Sequence, residues 1–159
     1  MVRIDVAFGA EHRIRQASQA AYRRFLKGGQ MLVYCSDEAR LTAFSKALWA
    51  VDKTAFVPHP RWDASMVQLI QSGRLPLVHI FLCTQLDENI LTAWSDKTLP
   101  WLLNLDVQCP PAYERFERVL EIVSNHPTDR DLARERMLTY KNAGHQLVYY
   151  DLSKPLKQR

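Results

Sequence analysis

The residues best suited to metal or nucleophilic chemistry are five histidines and three cysteines, and their spacing favours neither. His12, His59, His79, His126 and His145 are scattered, with no HExxH motif and no pair at metal-ligand spacing. Cys35, Cys83 and Cys109 are odd in number and far apart, without a CxxC, which argues against a zinc ribbon and against a disulfide framework. Cys35 and Cys83 sit in apolar runs and read as buried, reduced thiols of a cytosolic protein. Cys109, ahead of Pro110 and Pro111, reads as more exposed. His79 lies inside an apolar run and reads as a hydrogen-bonded core imidazole. No G-x-S-x-G elbow occurs, although a Ser–His–Asp group can assemble across a fold without one.

Docking chemistry has better support. The segment Thr128 to Gly144, TDRDLARERMLTYKNAG, reads as a helix. Thr128 and Asp131 resemble a capping box, and Gly144 is a stop. At about 100° per residue, Leu132, Ala133, Arg136, Tyr140 and Ala143 share a buried face on which Arg136 needs a partner. Arg130, Arg134, Met137 and Lys141 form a stripe roughly 60° wide on the opposite face, with Leu138 at its border. Cations beside soft apolar side chains suit an acidic peptide with apolar anchors. A nucleic-acid backbone would use the cations but not Met137 and Leu138, and no aromatic interleaves with them to stack bases. The bland alternative is a solvated basic face. The second docking candidate is Trp49 with Phe56, Val57 and Pro58, which reads as core or as an aromatic edge that anchors a partner.

The elements that must position these residues alternate along the chain. Strands are expected at Val2–Phe8, Gln30–Cys35, Thr54–Val57, Leu77–Cys83, Leu99–Leu105 and Leu147–Asp151. Gly9-Ala10 is read as a turn. Helices are expected at about 11–27, closed by Gly28-Gly29, after a Ser36-Asp37 cap, briefly at 65–71, after Pro110-Pro111 with Tyr113, Phe116, Leu120 and Val123 inward, and at 128–143. This order predicts a single α/β domain, residues 1–151, with a mostly parallel central sheet and helices on both faces, followed by a basic tail at 152–159. The topology is Rossmann-like without a dinucleotide fingerprint. FGAEHR follows the first strand instead of G-x-G-x-x-G, and no phosphate-binding loop motif occurs. No cofactor is therefore expected.

At 159 residues with net charge +4, the chain is mildly basic and suits acidic partners in general. Its opening residues read as a strand rather than a leader, and no run approaches the roughly 18 apolar residues of a membrane span. A soluble, cytoplasmic protein is expected.

The runs DEARLTAFSKALWAVDKTAFVPH, WLLNL, and YERFERVLEIV followed by ARERMLTYKNAG resemble the chi subunit family of bacterial DNA polymerase III. The resemblance is colinear over most of the chain and weakest at residues 59–98. It implies a non-catalytic adaptor. Such a subunit binds the psi subunit, which attaches the pair to the clamp loader, and it binds the acidic C-terminal tail of single-stranded DNA-binding protein. It places psi at Trp49 and Phe56, with Val57 and Pro58 beside them. It places the tail at Arg130, Arg134 and Lys141, with Met137 and Leu138 in the same stripe. The family helix often carries an aromatic and a basic residue where this chain has Met137 and Leu138, so one positive charge is missing. Such a charge-assisted contact is worth about 1.5–3 kcal/mol, and less when exposed. The competing reading is a small nucleotide-dependent enzyme on the same fold.

Overall fold

The computed structural model describes residues 1–74, 78–94 and 98–155. Its elements in order are β1 (Arg3–Ala10), α1 (Arg13–Leu26), β2 (Met31–Tyr34), α2 (Glu38–Val51), α3 (Met66–Gln71), β3 (Ile80–Cys83), α4 (Glu88–Leu91), β4 (Trp101–Asn104), β5 (Arg118–Ser124), α5 (Pro127–Asn142) and β6 (Gln146–Asp151). The strands form one sheet in the order β3-β2-β4-β5-β1-β6, and every pair is parallel. Parallel strands need crossovers, and the helices that make them cover both faces. Ala17, Ala21, Leu41, Phe44 and Leu48 of α1 and α2 pack on Met31, Val33, Leu82, Leu103 and Ile122. On the other face, Ala133 and Tyr140 of α5 and Ile90 of α4 pack on Ile4, Leu32, Phe81, Leu102 and Val119. Four-residue strands such as MLVY and IFLC are buried at every position, which is why they read as unbroken apolar runs.

Four local expectations need correction. Thr54–Val57 is not a strand. Pro58 and Pro60 cannot donate to a ladder, and the chain instead runs without regular structure to Arg61, which makes an isolated bridge to Leu82. The helix expected after Pro110-Pro111 is a single 3-10 turn at Tyr113–Arg115 followed by β5. Tyr113 and Phe116 are buried at helical spacing, but the β-branched run beyond them pairs with both β1 and β4. Gly9 does not turn the chain. β1 continues through Ala10 with a register shift, and Gly9, at φ +81°, brings the backbone close to Asp151. Finally, α5 has no capping box at Thr128. It starts earlier, with His126 as cap and Pro127 in the first turn, and Asp129 turns back to accept from the Ser124 amide and hydroxyl at 2.8 and 2.6 Å.

Other signals hold. Asp37 caps α2 by accepting from the Ala39 amide at 3.0 Å. Gly144 ends α5 at φ +86°. Leu77 and the tail residues 156–159 lie outside the described residues. No helix among those described is long and apolar enough to cross a membrane.

Arg136 finds its partner in Glu121 of β5. Glu121 is fully buried, and Arg136 Nε reaches both of its oxygens at 3.2 Å. Tyr140 Oη donates to it at 2.7 Å and Asn104 Nδ2 at 2.8 Å. Arg136 Nη2 lies 3.1 Å from Glu121 Oε1 as an ion pair without hydrogen-bond alignment. Burial, then the Glu121 charge, pushes the Tyr140 phenol far above its usual range, so it stays a donor. Removing one member of such a pair strands the other charge. Arg136→Ala is expected to cost about 3–5 kcal/mol, read as a lower urea midpoint with circular dichroism. Tyr140→Phe is expected to cost about 1–3 kcal/mol.

Candidate peptide-docking surfaces

The buried arc of α5 is Ala133, Arg136 and Tyr140, whereas Leu132 is half-buried and Ala143 exposed. Against that arc, the stripe of Arg130, Arg134, Met137 and Lys141 is turned by only about 100°, not by half a circle. It therefore flanks the core instead of opposing it. Met137 is half-buried and packs on the core cluster, while Leu138 is 58% exposed.

This rotation builds a groove of about 360 Å³ between α5 and the sheet. The four stripe residues and Leu138 line it, together with Val6, Phe8, Val123, Ala133 and Tyr149. Phe8 and Tyr149 meet edge-on with ring centroids 6.3 Å apart, and both are exposed. Neither was singled out from sequence. They are 141 positions apart in a 159-residue chain, and only the parallel pairing of β1 with β6, which sets Val6 beside Tyr149, brings them to one rim. The alternation of β1, with Ile4 and Val6 buried and Phe8 exposed on the same side, was the one signal available. The groove thus has an apolar floor, an aromatic rim and three cations. Arg134 pairs with Asp131 at 3.5 Å, between side chains about 70% exposed, an arrangement worth little in water.

The second surface lies on the opposite face of the sheet, near the β3 side. Trp49, at the end of α2, is 43% exposed and Phe56 is 73% exposed, with ring centroids 5.5 Å apart. Trp49 also rests on His59 at 4.6 Å. His59 is buried and held by Val57 O at 2.7 Å and Ser45 Oγ at 2.8 Å. Val57 itself is 2% exposed, so it belongs to the core and supports this edge from beneath; Pro58 is half-buried. An aromatic pair outside the core, propped on a fixed imidazole, is what a partner-facing anchor requires.

In doubly wound folds, ligands lie beyond the carboxyl ends of the strands. At that end of the sheet the Arg13 guanidinium donates to the carbonyls of Asn104, Leu105, Asp106 and Ile122. Gly28, at φ +73°, closes α1 as expected. Burial raises the thiols of Cys35, Cys83 and Cys109, that of Cys83 to about 12. Cys35 and Cys83 are buried and Cys109 is half-buried. His79 departs from expectation: it is half-buried, and its Nδ1 has no hydrogen-bond partner among the described residues.

The family described as DNA polymerase III chi subunit, HolC, matches residues 1–148. The chain belongs to this family. A curated relative, DNA polymerase III subunit chi of Pseudomonas aeruginosa, is 27% identical over 137 residues, 85% of this chain and 83% of that one. Membership makes the chain an accessory subunit of the replicative polymerase and not the subunit that carries polymerase chemistry. Among solved structures, the C-terminal domain of the DEAD-box protein Dbp5 superposes with TM-score 0.61 at 9% identity, covering 96% of this chain and 92% of that one. A variant of the S. cerevisiae Dbp5 domain, solved with Gle1 and IP6, gives 0.57 at 11% identity over 94% and 90%. At such identities the likeness concerns the fold alone.

Burial, then the charge of Arg61, lowers the His59 pKa below its ordinary 6.5. The unfolded chain therefore takes up this proton first, and the fold loses stability as pH falls below about 6.5. A urea midpoint that drops between about pH 7.5 and 5.5, with a smaller drop in His59→Gln, is the expected result.

Proposed function

We propose that this chi-family chain is a non-catalytic adaptor of the cytoplasmic replication machinery. It joins the psi subunit, and through psi the clamp loader, to the acidic C-terminal tail of single-stranded DNA-binding protein. The observation that carries this reading is the α5 groove, where Arg130, Arg134 and Lys141 surround an apolar floor of Met137, Val6 and Val123. Tail carboxylates would meet the guanidinium and ammonium groups, and the terminal apolar side chains would enter between Met137, Leu138 and the Phe8–Tyr149 rim. The aromatic rim partly offsets the charge that Met137 and Leu138 leave out. Psi would cover the Trp49–Phe56 edge, with Pro58 alongside and Val57 holding the segment from below. The two surfaces lie on opposite faces of the sheet and at opposite sides of its strand order, so both partners can be held at once.

Calorimetry with a tail peptide tests the assignment. Arg134→Ala should weaken tail binding by about five- to ten-fold at low salt, with psi binding unchanged. Phe56→Ala should do the reverse. Raising salt should weaken the tail interaction without abolishing it, because the apolar contacts are not screened. An unchanged tail affinity in Arg134→Ala would remove the groove from consideration. A nucleotide that raised the melting temperature, where tail peptide did not, would favour the enzyme reading instead.

A further inference from the structure

We propose that a basic trough beside Trp101 binds single-stranded nucleic acid directly. It lies at the α1 side of the sheet, apart from the α5 groove, and does not depend on how that groove is used. Two adjoining hollows compose it. One, of about 570 Å³, opens at the starting ends of the strands; the other, of about 330 Å³, follows the same face to Leu152. They share Arg24, Trp101 and Arg118.

The charge balance of the trough is uneven. Arg3, Arg23, Arg24, Lys27 and Arg118 line it against Asp5 and Glu117. Asp5 is divided between Arg3 at 2.8 Å and Arg118 at 2.5 Å. Arg24 meets the Gln30 carbonyl at 3.4 Å and pairs with no carboxylate among the described residues. The Arg24 and Arg118 guanidinium carbons lie 3.6 and 4.0 Å from the Trp101 ring centroid, so two like charges share one indole. Burial and then Arg118 make the Arg24 proton easier to lose. An anion in the trough would relieve that repulsion.

The backbone is built to permit this stack. A Cβ on Gly29 would fall 2.2 Å from Arg24 Cζ, so glycine at this position lets the guanidinium fold back toward Trp101. His79, which lines the same hollow, has the unpartnered Nδ1 noted above.

Guanidinium groups suit phosphates, and stacked guanidinium–indole planes suit unpaired bases. A duplex hides its base faces, and an acidic peptide would use the charges but not the planes. The chain's own terminal segment, SKPLKQR, is basic and cannot neutralise the trough.

Fluorescence anisotropy of a labelled oligothymidylate, titrated with the full chain at about 50 mM salt, tests the site. Binding is expected in the range of about 10⁻⁴ to 10⁻⁶ M. Arg24→Gln and Lys27→Gln, the latter at an exposed position, should each weaken it by about three- to ten-fold and reduce the salt slope by about 0.7. Arg134→Glu should leave oligonucleotide binding intact even if it abolishes tail-peptide binding. Thermal melts of Lys27→Gln guard against a folding artefact. The proposal is overturned if the parent shows no anisotropy change up to about 10⁻⁴ M. It is equally overturned if both glutamine variants bind like the parent, if Arg134→Glu weakens binding as much as Arg24→Gln, or if an acidic peptide proves to be held through Arg24.

Discussion

Glu121 lies in the middle of β5 with no exposure to solvent, and a carboxylate there is tolerable only because four side chains converge on it. Arg136 and Tyr140 come from α5, Asn104 from β4, and Arg13 approaches to 3.6 Å from the start of α1. Unpaired, the same charge would cost several kcal/mol, so the network fixes geometry more than it adds net stability. Arg136 and Tyr140 are one helical turn apart, and both must point at Glu121. That requirement sets the rotation of α5 about its axis. Arg130, Arg134, Met137 and Lys141 then have no choice but to face the β1–β6 side.

The same network extends to the carboxyl ends of the strands. Arg13 serves Glu121 while its donors satisfy four carbonyls at the strand ends. The fold superposes on a DEAD-box C-terminal domain at TM-score 0.61, a likeness of fold alone. The exposed chemistry is distributed: a cationic groove with an aromatic rim on the α5 face, an aromatic pair at the end of α2, and an arginine–tryptophan stack beside α1.

Much of this was legible in the residues. Unbroken apolar runs marked β2, β3 and β4 because strands buried on both faces need no alternation. Asp37 and Gly144 marked helix limits because their side-chain acceptor and positive φ are local properties. The strand β5 was misread as helix because Tyr113, Phe116, Leu120 and Val123 fit a 3.6-residue period, and period alone does not separate a short apolar strand from a buried helix. Thr54–Val57 was misread as a strand because its β propensity was outweighed by the prolines that follow.

By itself the sequence determined the α/β class, the mostly parallel sheet, the cationic stripe with Met137 and Leu138, and the proximity of Trp49 to Phe56. These follow from local periodicity and short separations. Only the tertiary structure decided that Val57 is core, that the stripe flanks the buried face of α5, and that Phe8 and Tyr149 complete its groove. It alone set Arg24 and Arg118 against one indole. Those facts depend on strand order and on a buried charge choosing its partners across the sheet, and neither is written in the spacing of neighbouring residues.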